Sequence, residues 1–243
     1  MEQRTALVTG ANKGIGFEIA RGLGAKGVKV WAAARSVELG EAAAARLREE
    51  GADAEFVRLD VTDEDSVAAA VEQVGSLDIL VNNAGIALAD GGWNTSELTV
   101  ATARKVFETN VIGVVSVTNA FLPLLRESPA PRIVNVSSEV GSFGFMTGDH
   151  EFAQMQGGAY GASKSALNML TVSYAKEFKD GPVKVNAMTP GYTKTDLNHN
   201  QGWRDPETSA KVAIDLALAG DDGPNGGFFQ EGLEYHADTT VPW

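Results

Sequence analysis

Tyr160 and Lys164 stand four residues apart in the stretch Tyr160-Gly161-Ala162-Ser163-Lys164. On a helix that spacing places both side chains on one face, one turn from each other. A free phenol, with a pKa of about 10, is a poor proton donor or acceptor near neutrality. A neighbouring ammonium favours the phenolate, and a drop of roughly three units corresponds to about 4 kcal/mol. A tyrosine tuned in this way would work as a general acid or base. Taken alone, the pentapeptide is more economically an ordinary half-exposed helix pair. Its weight comes from what the rest of the chain brings to the same place.

A second chemistry is written near the N-terminus. Residues 6–9 have the pattern of a short buried strand, Gly10-Ala11-Asn12-Lys13-Gly14-Ile15-Gly16 follows, and 17–26 has a helical pattern. Glycines let a backbone approach a pyrophosphate closely, and the N–H groups and dipole of a helix start favour its charge. The spacing is G-x-x-x-G-x-G rather than the common G-x-G-x-x-G. A second apolar strand, 28–33, ends at Arg35, about twenty residues past the last glycine, where an acidic residue would bond a ribose hydroxyl and an arginine accommodates a 2′-phosphate. The guanidinium fork suits phosphate oxygens, and Lys13 in the glycine loop offers a second cation. Both could be plain surface charges, but in an acidic chain these two places favour NADPH over NADH.

Further strands are expected at 54–59, 77–81, 132–136 and 183–188, with a short one at 227–230. Helical segments at 36–50, 63–73, 96–125, 160–178 and 205–220 alternate with them. Ser36 and Asp63 are N-cap candidates, and Pro206 suits a first helical turn. Alternating strands and helices predict an α/β, single-domain, Rossmann-type doubly wound parallel sheet of about seven strands. Ligands of such sheets bind beyond the carboxyl ends of the strands. Asp60-Val61, Asn82-Asn83-Ala84-Gly85, Ser137-Ser138 and Thr189-Pro190-Gly191-Tyr192-Thr193-Lys194-Thr195-Asp196 all fall at that edge. Asp60 would accept from an adenine amine or cap a turn. The threonines would bond a carboxamide or phosphate, or cap a helix. Asn110 stands within a helical pattern, where an asparagine is unfavourable unless its side chain or a local distortion has a use.

Composition bounds the rest. The chain has 243 residues, no cysteine and a formal net charge of −12. Disulfides and thiolate metal sites are thereby excluded, and a reducing, cytoplasmic setting is expected. The acidic balance argues against nucleic acid or an anionic membrane surface as partner. The apolar run 111–125 is too short for a membrane span. Three scattered histidines give no metal site, and His150 is expected to bond locally.

Together, Thr9-Gly10-x-x-x-Gly14-Ile15-Gly16, Asp60, Asn82-Asn83-Ala84-Gly85, Asn110, Ser138, Tyr160-x-x-x-Lys164 and Pro190-Gly191 resemble the short-chain dehydrogenase/reductase family over nearly the whole chain. The loop Asn12-Lys13-Gly14-Ile15-Gly16 with Ala34-Arg35 looks most like its NADPH-dependent carbonyl reductase branch. The resemblance implies that Tyr160 gives a proton to a carbonyl oxygen while NADPH delivers hydride to the carbon. Lys164 would lower the tyrosine pKa and hold the nicotinamide ribose. Ser138 would bond the substrate oxygen, and is preferred to Ser137 because Val140-Gly141 follows at the family's spacing. Asn110 would hold a water linking Lys164 to solvent. The implied NADP(H) contacts are Gly10, Asn12, Lys13, Gly14, Ile15, Gly16, Arg35, Asp60, Val61, Asn82, Ala84, Gly85, Tyr160, Lys164, Pro190, Gly191, Thr193 and Thr195.

One departure bears on the substrate. Ser138 and Tyr160 are 22 residues apart, against about a dozen in many family members. The extra stretch carries Phe143, Phe145, Met146, His150, Phe152 and Met155. It would wall a pocket for a hydrophobic ketone, aldehyde or quinone, together with loops 86–97 and 192–205, or else cover only the outside of the Tyr160 helix. In either position it could obstruct helix surfaces used for tetramers, so a monomer is the expectation. The same residues would equally serve an alcohol dehydrogenase run oxidatively with NADP. A catalytically silent NADPH-binding regulator is the alternative from another class; loss of Tyr160, Lys164 or Ser138 would have favoured it, and all three are present. A methyltransferase would want an acid in place of Arg35.

Overall fold

The computed structural model describes residues 3–88, 93–149, 151–231 and 240–243, without the side chains of 151 and 152. Seven parallel strands form one sheet in the order β3-β2-β1-β4-β5-β6-β7. In chain order, β1 (Thr5–Thr9) leads to α1 (Gly14–Ala25), β2 (Lys29–Ala34) to α2 (Val37–Glu49), and β3 (Ala54–Arg58) to α3 (Glu64–Val74). After β4 (Ile79–Asn82) come a 3-10 turn, α4 (Val100–Phe107), a π-helical turn (Glu108–Ile112) and α5 (Gly113–Glu127). Then follow β5 (Arg132–Val136), the short α6 (Phe143–Met146), α7 (Gly158–Glu177), β6 (Lys184–Met188), α8 (Pro206–Leu218) and β7 (Phe228–Phe229).

The two-residue period of the strands makes the two cores. Ala6, Val8, Val30, Ala32, Ile79, Val81, Val134 and Val136 face one side, where they meet buried residues of α1, α2 and α8. Leu7, Trp31, Ala33, Leu80 and Ile133 face the other, with α3, α5 and α7. Such strands, buried on both faces, read as continuous apolar runs. Glycine allows close layer packing on the first side: a Cβ on Gly22 would fall 2.2 Å from Ile214 Cδ1.

β1 lies between β2 and β4, so the chain's winding reverses beside it. The crevice of an open α/β sheet forms at this switch point, beyond the strands' carboxyl ends. Thr9 and Asn82 end the two strands there.

The extra stretch between Ser138 and Tyr160 holds regular elements, α6 and a 3-10 turn, Glu151–Gln154. One expectation changes. The apolar stretch around residues 111–125 belongs to a helical run Val100–Glu127 of 28 residues and mean hydropathy 1.3, long and apolar enough by length and composition to cross a membrane. Val106, Val117, Phe121 and Leu125 of that run are buried, the last three in the core beneath the sheet, as in a core helix.

Candidate active site

Ser138 follows the end of β5, and Tyr160 and Lys164 occupy the first turns of α7, so the sheet's carboxyl edge brings the three together. Gly141 allows the approach: a Cβ there would lie 2.6 Å from Lys164 Cβ. Ser137 is turned away. It is buried, and its Oγ donates to Asn168 Oδ1 at 2.6 Å, which leaves Ser138 as the serine at the phenol. Lys164 is 4% exposed, donates from Nζ to the Val136 carbonyl at 2.8 Å, and places Nζ 5.6 Å from the Tyr160 ring centre.

The electrostatics differ from the expected pair. Tyr160 keeps some surface open to solvent but is ringed by protein on most sides. Loss of water around it, then the negative charge of Glu139, push the phenol well above the ordinary tyrosine value, while a hydrogen bond with Ser138 pulls the other way. Burial also lowers Lys164 from 10.5 to about 8. The ammonium is thus not among the main influences on the phenol; its Nζ faces the Val136 carbonyl. In the protein alone the phenol stays protonated at neutral pH.

Asn110 lies in the π-helical turn, fully buried. Its Oδ1 accepts from Ile86 N–H at 2.9 Å, and its Nδ2 donates to the Ile86 carbonyl at 2.9 Å and to Ser163 Oγ at 3.0 Å. The wider turn is the local distortion that its helical setting called for. The side chain therefore ties the segment after β4 to α7 through protein groups, with both amide hydrogens in use. Gly85 lies beside both residues: a Cβ there would stand 3.3 Å from Asn110 Oδ1 and 3.6 Å from Lys164 Nζ.

The glycine loop makes a cradle. Gly10 and Gly14 have φ of 66° and 57°, left-handed values that favour glycine. A Cβ on Gly16 would fall 2.4 Å from Asn83 Nδ2 and 2.5 Å from the Gly10 carbonyl oxygen. Asn83 braces this loop, donating from Nδ2 to the Thr9 carbonyl at 2.8 Å, while Thr9 Oγ1 accepts from the N–H groups of Asn83 and Ala84. α2, α3, α4 and α8 have side-chain caps from Ser36, Asp63, Thr99 and Asp205, but α1 begins after Lys13 with no side-chain cap. Its first N–H groups, with Asn12, Ile15 and Gly16, are left to an anionic partner. This cradle fits the pyrophosphate of a nicotinamide dinucleotide.

Arg35 is exposed at the end of β2. Asp60 is partly buried, which would raise its pKa. Two hydrogen bonds from Thr62, with the cations Arg35 and Arg58, outweigh that and hold it below the usual carboxylate range. Val61 packs where a Cβ on Gly113 would fall 2.8 Å away. Lys13 pairs with Asp196 at 2.5 Å, both side chains largely exposed, so the glycine loop is clasped to the segment after β6.

Several expected contacts spend their side chains elsewhere. Asn82 Nδ2 donates to Thr118 Oγ1 and Asn135 Oδ1 inside the core, so the amide hydrogens are spent there. Thr193 is buried, with its hydroxyl on the Pro190 and Gly191 carbonyls and on Ser209 Oγ at 2.7 Å. Thr195 caps the 3-10 turn Asp196–Asn198. Gly191, with φ of 70°, and Pro190 shape the turn after β6.

The extra stretch divides. Phe145 is buried and Phe143 exposed; His150 and the Phe152 side chain lie outside what is described. Ser142 Oγ donates to the Pro242 carbonyl and Gly144 N–H to the Trp243 carbonyl, so the chain's last residues hold α6. Met169 on α7 and Ile112 remain 64% and 52% exposed. The stretch therefore does not cover these apolar positions, and the steric reason for expecting a monomer is absent there. Sequence reading passed over Glu139, although a charged residue directly after a buried strand and its serine pair was the available signal; Thr189, read as a bond to a carboxamide or phosphate or as a cap, donates to Glu139 instead.

A family profile described as short chain dehydrogenase matches residues 4–205. A short-chain dehydrogenase/reductase of Aspergillus fumigatus is 34% identical over 262 residues, covering 99% of this chain and 97% of the relative. Salutaridine reductase of Papaver bracteatum is 32% identical, covering 94% of each. The structure of a gluconate 5-dehydrogenase from Burkholderia cenocepacia, in complex with NADP and tartrate, is similar with a TM-score of 0.83 at 28% identity, covering 97% of each chain. The chain belongs to the short-chain dehydrogenase/reductase family, oxidoreductases that bind nicotinamide cofactors.

Proposed function

We propose that this short-chain dehydrogenase/reductase reduces a ketone, aldehyde or quinone to an alcohol with NADPH. The observation that carries the reading is the meeting of Ser138, Tyr160 and Lys164 beside a glycine cradle at the sheet's carboxyl edge. The reduced nicotinamide would supply the hydride. Tyr160 gives its proton to the carbonyl oxygen as the carbon receives hydride, and the product is the neutral alcohol. Ser138 donates to the same oxygen, where charge develops. Lys164, with a pKa near the working pH, is placed to steady the phenolate left behind. Gly10, Asn12, Gly14, Ile15 and Gly16 would take the pyrophosphate, Arg35 and Lys13 the 2′-phosphate, and Asp60 with Val61 the adenine. Ala84, Gly85, Pro190 and Gly191 would border the nicotinamide half.

Reduction takes a proton from Tyr160, and in the protein alone burial, then the charge of Glu139, keep that proton in place at neutral pH. The relatives' names support the class without fixing the substrate: one is a salutaridine reductase, and one neighbour was solved with NADP.

A hydrophobic substrate is part of the proposal, as are a cytoplasmic setting and no nucleic-acid or membrane partner. Exposed Trp93, Phe143, Met155, Leu197 and Trp203 all belong to the three segments that would wall the pocket. Trp93 is also close to α7, since a Cβ on Gly158 would lie 3.3 Å from its carbonyl oxygen. The test is NADPH oxidation across quinones, aromatic aldehydes, bicyclic ketones and β-keto esters, with NADPH binding followed by fluorescence. Turnover on apolar carbonyls is expected. Tight NADPH binding with no turnover on any of them would instead support a silent regulator.

A further inference from the structure

Glu139 is a buried carboxylate one residue from the Ser138 hydroxyl, and the reaction outlined above gives it no part. It is 9% exposed and makes no ion pair among the described residues. A charge in that setting is costly unless it is hydrogen-bonded. Its partners are hydroxyls. Thr189 Oγ1 donates to Glu139 Oε2 in a short bond, and Ser138 Oγ reaches the same oxygen at 3.5 Å. The Glu139 N–H donates to Thr189 Oγ1 at 3.2 Å, and that oxygen also accepts from Gly191 N–H at 3.2 Å. One carboxylate thus joins the end of β5 to the turn after β6. On the other side of Ser138 is the Tyr160 phenol.

A hydroxyl has one proton to give and two lone pairs to receive with. A carboxylate is an acceptor only. When Ser138 gives its proton to Glu139, its lone pairs are left for the Tyr160 proton. Before substrate binds, the chain of hydrogen bonds then runs from phenol to serine to carboxylate; an arriving substrate oxygen takes the hydrogen bonds of both the phenol and the serine, which turns its one proton from Glu139 to that oxygen.

We propose that Glu139 is a positioning residue for this reaction: it fixes the direction of the hydrogen-bond chain at Tyr160 through Ser138 and holds the turn at residues 189–191 against β5. The inference rests on the carbonyl-reductase reading for its catalytic consequence. Glu139 is also the charge that, after burial, raises the Tyr160 pKa, while the hydrogen bond with Ser138 lowers it. The other ionisable neighbour is Lys164 on the same helix, and among the described residues no further charged group from the elements packed on α7 bears on the phenol.

Glu139→Gln keeps the size and an acceptor oxygen for Thr189 but removes the charge. Two profiles are measured. One is the alkaline limb of kcat/KM for carbonyl reduction. The other needs no turnover: the phenolate absorbance of the protein minus that of its Tyr160→Phe variant, titrated without cofactor or substrate. Both midpoints are expected to fall by about one pH unit in Glu139→Gln. Glu139→Asp, which keeps the charge, is expected to restore them while changing KM. Unchanged midpoints in Glu139→Gln, with only a lower melting temperature, would show a strap without influence on the acid and overturn the proposal. If Glu139→Gln does not fold, Ser138→Ala decides by the same absorbance titration: a midpoint that falls shows the serine accepting from the phenol, as the chain directed by Glu139 requires, and one that rises or stays in place refutes the inference. Because the absorbance reading is independent of activity, an inactive substrate panel would leave this result standing.

Discussion

Lys164 shows what a functional side chain costs at the scale of one residue. Its shift from 10.5 to about 8 corresponds to roughly 3 kcal/mol of penalty on the charged form. Below pH 8 the folded chain must hold an ammonium where water is scarce, and the unfolded chain need not. Above 10.5 the amine is neutral in both states and the penalty vanishes. The folded pKa is depressed for a base, so stability relative to a neutral side chain rises with pH between these limits. Lys164→Met, compared with the wild type by urea unfolding from pH 7 to 11, should therefore show its greatest relative stability at pH 7. That advantage, less the lost bond to Val136, should shrink between pH 8 and 10.5; a flat difference would mean no penalty exists. Arg35 makes a different prediction. Replacing it with Asp puts a carboxylate where a 2′-phosphate would lie, and kcat/KM should shift towards NADH by roughly tenfold to a hundredfold. Unchanged preference would show Arg35 to be surface charge alone.

Elements explain why some motifs were legible and others were not. Strand ends, glycine turns and caps follow local rules, so β1 to β6, the caps Ser36 and Asp63 and the helix start at Pro206 could be placed from the sequence within a residue or two. The π-helical turn at Asn110 was signalled only as an asparagine in an unsuitable place. The destinations of Asn82 and Thr193 could not be read, because a buried amide or hydroxyl finds its partners across elements far apart in the chain: Asn82 meets Asn135, and Asn135 in turn donates to Thr171. The ionisation of Tyr160 was missed for the same reason. Four-residue spacing announces a lysine nearby, but not that its Nζ points to the Val136 carbonyl or that a carboxylate lies on the other side. Gly16 tests the cradle at this scale. Gly16→Ala forces a methyl group onto Asn83 and the Gly10 carbonyl, and should lower stability by about 1–3 kcal/mol by urea unfolding and weaken NADPH binding by at least about tenfold. Wild-type affinity in that variant would place the pyrophosphate elsewhere.

At the scale of the molecule, the sheet order and the comparisons fix family and fold, while everything specific to this chain lies in what is attached to the carboxyl edge. The net charge of −12 makes the local cations at that edge, Lys13 and Arg35, stand out against their surroundings. Lys13 is shared with Asp196, so the same clasp that closes the crevice also competes for the cation. The central claim is that the phenol of Tyr160 is the proton donor. Tyr160→Phe removes one oxygen and leaves the cradle intact. With an apolar carbonyl substrate, kcat/KM should fall by roughly a thousandfold or more while the Kd for NADPH stays within about threefold of the wild type. Turnover within tenfold of the wild type would contradict the account.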